Sequence, residues 1–335
     1  MQSSQFENGK YYNQINWQEP AFHDFLSLMK EMLIEDVERT PKKALPLQSV
    51  DLTAFNSTVE EQLNATWLGH SSLLLNIDGN KIITDPVYEK RISLFGPTRY
   101  NGEVPLKIAD LPEIDVVIIS HNHYDHLNKY SIQKIKDKAN LFITTLGIAK
   151  TLIEWGVSHE KVIELDWWQE YRVNEKLLIA ATPAQHFSGR ALTDRFKTLW
   201  ASWVIHGSQH NIFYSGDSGY FPGFKQIGDK YGPFDMTFME NGAYNRRWRA
   251  VHMFPEECLQ AHLDVRGKIL HPIHWGTFRL STHSWYDPIQ RLCAAAENAG
   301  VPLATPKVGE TTIYPTQIPN SKWWESLISE NGKLK

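Results

Sequence analysis

The sequence predicts a layered α/β protein, two sheets with helices on their outer faces. Short apolar and β-branched runs recur along the chain, separated by stretches whose apolar residues repeat at helical spacing. That alternation is how strands and helices stacked in layers read in a sequence. Several of the runs end in His or Asp, and layered α/β folds bind ligands at one edge formed by strand ends. With 335 residues, 42% of them hydrophobic, the chain can bury a substantial core.

Residues 1–60 read as an N-terminal extension packed on the main fold, and residues 61–335 as the main domain. In the extension, Phe22, Phe25, Leu26, Met29, Leu33 and Ile34 predict a helix over Ala21 to Val37, ended by Thr40-Pro41. Strands follow at Ala65–Leu68, Ser72–Ile77 and Lys81–Thr84, the last two joined by the turn Asp78-Gly79-Asn80. Residues 91–112 are loop-rich, with Gly96-Pro97, Gly102 and Pro105. Ile114–Ile119 is a buried strand, and the loop Ser120-His121-Asn122-His123-Tyr124-Asp125-His126 leaves its end. Helix over 130–138, strand over 141–144, helix over 147–155 and strand over 162–165 continue the alternation. The second half repeats the style. Strands at 177–181, 199–205, 211–214, 234–239 and 268–273 are followed by a late strand at 308–314. Helices are predicted over Pro255–Val265, with Pro and two Glu in its first turn, and over Pro288–Ala299, stopped by Gly300.

Composition excludes several classes. A net charge of −4 provides no global basic field, so nucleic acid is not an expected partner. The polar N-terminus lacks a secretory signal, and no apolar run is long enough to span a bilayer. Only Cys258 and Cys293 are present, both inside predicted helices, which argues against a disulfide framework and fits a cytoplasmic protein. The predicted N-terminal helix carries Asp24, Lys30, Glu31, Glu35 and Asp36 on its polar face. That acidic face opposes attraction to anionic lipid, so any peripheral membrane contact would be hydrophobic. A homodimer is compatible with this reading.

Fourteen His and twelve Trp stand out. His121, His123, Asp125 and His126 fall within six residues, directly after a strand that can hold them rigidly. His186, Asp217 and His274 each end another strand. Neutral imidazole and carboxylate are zinc's preferred N and O donors. Seven such residues match what two zincs about 3.5–4 Å apart require, and two ions so placed clamp the attacking and leaving oxygens of a hydrolysis. The residue pattern alone does not divide the seven between ions. His70, in the Gly69-His70-Ser71-Ser72 turn, is placed to reach the site or to serve as a hydrogen-bonded structural residue. His271 lies mid-strand and reads as core. His23, His159, His206, His210, His262 and His283 read as ordinary surface or core residues. No Gly-x-Ser-x-Gly elbow and no phosphate-cradling Gly-rich loop is present.

The stretches His121-x-His123-x-Asp125-His126, the later His186, Ser215-Gly216-Asp217 and Pro272-Ile273-His274 resemble the metallo-β-lactamase superfamily. Thr66-Trp67-Leu68-Gly69-His70, Thr84-Asp85-Pro86, Gly96-Pro97-Thr98-Arg99, Leu165-Asp166-Trp167-Trp168, Gly242-Ala243-Tyr244 and His274-Trp275-Gly276-Thr277-Phe278 are similar to its N-acyl-phosphatidylethanolamine-hydrolysing phospholipase D branch. The similarity covers residues 60–314 and is looser before them. It implies an αββα sandwich of two mixed sheets, with residues 61–335 as the hydrolase domain. It assigns His121, His123 and His186 to one zinc and Asp125, His126 and His274 to the other, with Asp217 bridging. It places Asp85 beneath the metal loop, orienting a ligand His, and His252 beside the reacting centre. His252 is followed by Met253-Phe254-Pro255, where the family more often has an acidic residue and Pro.

A zinc-bound water gives hydroxide near neutral pH, so the expected nucleophile is a metal-bridging hydroxide, positioned by Asp125 or Asp217. The resemblance implies a phosphodiesterase that cuts a phospholipid on its headgroup side. Trp167, Trp168, Trp203, Trp248, Trp275 and Phe278 lie near motif positions and are candidates to line an apolar cleft for acyl chains. Tyr124 is a further candidate substrate contact, and Arg246, Arg247 and Arg249 are candidates for contact with an anionic headgroup. The alternative is a metal-dependent lactonase on a sugar phosphate or other cyclic ester, using the same nucleophile on a carbonyl. A non-catalytic zinc protein is the third reading, and seven ligands exceed the four a structural zinc needs. Other divalent metals, iron or manganese among them, suit the same donors.

Overall fold

Two strand systems face each other across a shared apolar layer, as the alternation of strands and helices predicts. The computed structural model describes residues 2–17, 27, 30–31, 37–56, 62–94, 96–191 and 193–329. The helix expected over 21–37 falls almost wholly outside the described residues. A small hairpin, β1 (Gln5–Glu7) and β2 (Lys10–Tyr12), precedes the main fold, and a single turn, α1 (Leu52–Phe55), is capped by Asp51.

The first sheet holds β3 (Leu63–Gly69), β4 (Ser72–Ile77), β5 (Asn80–Thr84), β6 (Ile114–Ile118), β7 (Ala139–Thr145) and β8 (Val162–Leu165) in chain order, with β15 (Thr311–Tyr314) on the outside of β3. The second runs from β9 (Glu170–Asn174) through β10 (Leu177–Thr182), β11 (Ser202–His206), β12 (Asn211–Tyr214) and β13 (Phe234–Glu240) to β14 (Gly267–Ile273). Both are mixed. The β5, β6, β7 and β8 strands pair in parallel, as do β12, β13 and β14, and the remaining pairs are antiparallel.

Strands buried on both faces read as unbroken apolar runs, and alternate residues go to different layers. On β4, Leu73, Leu75 and Ile77 join the core between the sheets, while Leu74 faces outward. The inner layer also takes Trp67, Val116 and Ile118 from the first sheet and Ile179, Trp203, Tyr214 and Phe238 from the second. Outside the first sheet, Leu74, Ile83 and Val117 pack on α2 (Lys129–Ile135) and α3 (Ala149–Glu154) through Ile132, Ile135 and Leu152. Outside the second, Val204 and Phe213 pack on α4 (Gly223–Tyr231), α5 (Pro255–Asp264) and α6 (Asp287–Ala299) through Phe224, Leu259 and Leu292. This is the αββα sandwich.

Three departures from the predicted elements have physical causes. The β9 strand is an edge with only Tyr171 and Val173 half-buried, so its apolar signal is weak. Helix α4 contains Gly223 and Gly228, which lower helix propensity. A Cβ on Gly228 would lie 2.2 Å from the Asp264 carbonyl oxygen, so the glycine lets α4 approach α5. The strand expected from Leu199 starts only at Ser202, because the Leu199 and Ala201 N–H groups donate across to Leu146 and Ser120. Among the described residues, no helix is long and apolar enough to cross a membrane.

Candidate metal centre

The loop after β6 is built as a turn that aims alternate side chains the same way. His126 and Leu127 donate their N–H groups to the His123 carbonyl at 3.1 and 2.8 Å. The loop is fastened from the side. Arg190 donates to the carbonyls of Asn122 and Leu127 at 2.8 and 2.7 Å and stacks 3.9 Å from the Tyr124 ring centre. The other candidate ligands arrive on strand ends of the second sheet: His186 beyond β10, Asp217 beyond β12 and His274 immediately after β14.

These residues gather into two groups. In the first, His123 Nδ1 lies 2.8 Å from His121 Nε2 and 3.2 Å from His186 Nε2. Asp217 Oδ2 stands 3.9 and 3.8 Å from the nitrogens of His121 and His186. In the second, the same Asp217 oxygen is 3.2 Å from His126 Nε2 and 3.1 Å from His274 Nε2. Asp125 Oδ2 is 3.7 Å from His126 Nε2, 3.5 Å from His274 Nε2 and 3.0 Å from His70 Nε2. Asp217 therefore stands between the groups.

Hydrogen bonds behind three of the rings decide which nitrogen each presents. His186 Nδ1 donates to the Val251 carbonyl at 3.0 Å, which leaves Nε2 with its lone pair. His126 Nδ1 donates to Asp85 Oδ2 at 2.7 Å. Ser120 Oγ donates to Asp85 Oδ2 at 2.5 Å and accepts from His121 Nδ1 at 2.9 Å. A carboxylate or carbonyl behind a ligand imidazole is the usual support of a metal site.

The electrostatics suit cations. Burial holds His121 and His186 well below the ordinary imidazole range, and lowers His123 to about 4, so these three rings are neutral. Burial opposes charge on His126 and His274 too, but Asp217 and Asp125 outweigh it. His126 is held well above its ordinary range and His274 is pushed up to about 10. The two carboxylates thus demand positive charge, which a divalent ion supplies in place of these protons. His126 Nε2, His274 Nε2 and Asp217 Oδ1 are buried without a hydrogen-bond partner. Two nitrogens at about 2.0–2.1 Å from one tetrahedral zinc stand about 3.3 Å apart, close to the spacings of the first group. The donor set fits a divalent metal centre.

A cavity of about 410 Å³ opens above both groups. Trp17, Phe187, Trp248 and Leu280 give it apolar walls, and Arg195 adds a cation. His252 lines it, paired through Nδ1 with the carboxylate of Glu240, which is wholly buried. His252 offers a ring nitrogen within 4.8 Å of the ligand atoms of Asp217 and His274. Glu240 also accepts the Ser218 N–H at 2.6 Å.

Asp85 lies beneath the metal loop, and His70 touches Asp125 from behind. Of the candidate substrate contacts, Trp248 faces the cavity and the others lie elsewhere. Arg247 pairs with Glu31 at 2.6 Å and Arg249 with Glu257 at 2.7 Å, while Arg246 borders a separate cavity of about 640 Å³. Tyr124, within the loop, is exposed, and its hydroxyl donates to the Arg190 carbonyl. Trp168 stacks on Tyr231 of α4, on the outer side of the second sheet. Phe278 is buried, its ring set edge-on to His70. His271 is core, between Trp67 and Phe238. Sequence reasoning missed Glu240, Trp17, Phe187 and Arg195. Glu240 carried a usable signal, since it ends an apolar strand as Asp217 and His274 do; the other three had none.

A family model described as a beta-lactamase superfamily domain matches residues 80–275. An uncharacterised protein of Mycobacterium tuberculosis is 40% identical over 88% of this chain and 79% of its own length. The N-acyl-phosphatidylethanolamine-hydrolyzing phospholipase D 1 of Caenorhabditis elegans is 33% identical over 88% of this chain and 87% of its own. A metallo hydrolase of the archaeon Ignicoccus hospitalis shares the fold, with a TM-score of 0.59 over 76% of this chain and 98% of that one, at 22% identity. The chain belongs to the metallo-β-lactamase superfamily, in its N-acyl-phosphatidylethanolamine-hydrolysing phospholipase D-like branch. Its class is that of the metal-dependent hydrolases, with His/Asp clusters able to bind a metal centre.

Proposed function

We propose that this chain is a two-zinc phosphodiesterase of phospholipase D type, cutting N-acyl-phosphatidylethanolamine-like phospholipids into phosphatidic acid and an N-acylethanolamine. The observation that carries the reading is the doubled ligand set sharing Asp217 at the floor of a cavity with aromatic walls and an arginine. The worm relative, named for this activity, supports the substrate class. Two zinc ions, which His121, His123 and His186 and Asp125, His126 and His274 would hold together with Asp217, would supply Lewis acidity and lower the pKa of water.

The chain's own groups do the rest. Trp17, Phe187, Trp248 and Leu280 offer apolar surface to the lipid and keep bulk water away from the floor. Arg195 faces the anionic phosphate. The Asp125 and Asp217 carboxylates are held well below their ordinary range: burial opposes this, but His126 and His274 prevail. They stay anionic and orient the attacking water. That water adds to phosphorus and gives one proton to Asp125 or Asp217, the P–O bond on the N-acylethanolamine side breaks, and the leaving oxygen takes a proton. His252, held by Glu240, is placed to deliver it. A bilayer substrate brings peripheral membrane contact with it.

The test is a parallel assay of the zinc-loaded protein on N-acyl-phosphatidylethanolamine micelles and on lactones, in ¹⁸O-water, read by mass spectrometry. The expected products are N-acylethanolamine and phosphatidic acid carrying the label in its phosphate. Hydrolysis of lactones alone would move the function to the cyclic-ester branch. Activity unchanged in Asp217→Ala would remove the metal centre from the mechanism.

A further inference from the structure

The segment before the main fold reaches into the metal centre through one side chain. Asn13 is buried, and it holds the backbone of His186, 173 residues away, at both ends. The His186 N–H donates to Asn13 Oδ1 at 3.0 Å, and Asn13 Nδ2 donates to the His186 carbonyl at 2.7 Å. The amide's orientation is settled by its surroundings. The indole N–H of Trp200, buried and unable to accept, donates to the same Oδ1 at 3.0 Å, so that atom is the oxygen. With the ring fixed through Nδ1 on the Val251 carbonyl, His186 is gripped on three sides, and its Nε2 stands 3.2 Å from His123 Nδ1.

We propose that Asn13 is a positioning residue of the metal centre: it sets the direction of the His186 ligand atom, and with it the affinity for the ion shared with His121 and His123. The N-terminal segment has other fastenings that do not touch the His186 peptide. Tyr11 donates its N–H to the Phe196 carbonyl at 2.8 Å, and Gln185 donates to the Ile15 carbonyl at 2.7 Å. A purely structural anchor would be replaceable by these; a positioning residue is not. The proposal rests on His186 being a ligand in the two-metal reading above.

The test is zinc binding by chelator competition, with cobalt(II) absorption as a second readout, on native protein, His186→Ala, Asn13→Ala and Gln185→Ala. Native protein binding two ions, one of them lost in His186→Ala, upholds the two-metal reading. Asn13→Ala is then expected to weaken one ion by about 10–100-fold, the usual loss when a ligand's supporting partner is removed. The second ion stays within about 3-fold of native, and the cobalt spectrum shifts at the weakened site alone. Gln185→Ala, which loosens the segment at Ile15, leaves both affinities near native. Affinities unchanged in Asn13→Ala, both ions weakened equally, or Gln185→Ala matching Asn13→Ala would each overturn the proposal. If Asn13→Ala does not fold, Asn13→Asp, which keeps the acceptor and removes the donor to the His186 carbonyl, carries the same comparison.

Discussion

Asp85 shows how much of the centre depends on a residue that binds no metal in this arrangement. Its backbone sits at a φ of 34°, outside the usual range for a residue with a side chain. Its carboxylate accepts from the Ser120 N–H at 2.7 Å, the Ser120 hydroxyl and the Tyr214 hydroxyl at 2.5 Å each, and His126 Nδ1 at 2.7 Å. Through Ser120 it also sets the tautomer of His121. Asp85→Asn keeps the volume but turns an amide N–H₂ toward donors. A buried donor left without a partner costs about 1–3 kcal/mol, so the expected loss exceeds about 2 kcal/mol of unfolding free energy, measured by urea titration. Zinc affinity falls about 10–100-fold, measured by chelator competition. Equal metal affinity in native and variant protein would show that the bond to His126 is not what orients that ring.

At the scale of elements, the strand ends are where the sequence reading and the placement of side chains agree most closely, because a candidate ligand placed after an apolar run needs only that run to form. The turn at Gly216, between β12 and Asp217, depends on a glycine. Its φ is 55°, and a Cβ there would stand 2.8 Å from the Ser120 Cβ and 3.0 Å from the Ala201 carbonyl oxygen. Gly216→Ala is expected to destabilise the fold by about 1–3 kcal/mol and to displace Asp217. A lower melting temperature together with weaker metal binding is the outcome to look for. Helix α5 carries a pH dependence of its own. His262, buried against β13 and hydrogen-bonded to Thr237 at 2.7 Å, is lowered by burial to about 4. The unfolded chain binds this proton near pH 6.5, so stability is complete above that value and is lost as pH falls from 6.5 toward 4. In metal-free protein, the slope of stability against pH in this window should be shallower in His262→Gln than in native protein, by up to about 1.4 kcal/mol per pH unit. Parallel slopes would mean that the ring already titrates normally in the fold.

Across the whole molecule the centre joins the two sheets. His121, His123, Asp125 and His126 follow β6 of the first, while His186, Asp217 and His274 come from the second. Ions bound between them should act as staples across the sandwich. Raising free zinc to 100 times its dissociation constant is expected to add about 2.7 kcal/mol per site to stability, seen as a melting temperature that climbs with buffered zinc and drops with a chelator. A melting temperature indifferent to zinc would mean that no ion is held between the sheets.

The sequence by itself determined the layered fold class, most of the strands and the set of seven clustered side chains. Each of these is written in local periods or short spacings, and local hydrogen bonding and burial decide them one segment at a time. Beyond the bridging Asp217 and the supporting Asp85, which the resemblance already implied, tertiary structure decided that Ser120 and the Val251 carbonyl hold His121 and His186 from behind, and which aromatics face the cavity. It sent Trp248 into the cavity and turned Arg247 and Arg249 to Glu31 and Glu257. It also drew Asn13 to His186 and Trp17 to Phe187. Such contacts join residues far apart in the chain, and their partners are chosen by how the sheets and loops pack together, which no neighbouring residue encodes.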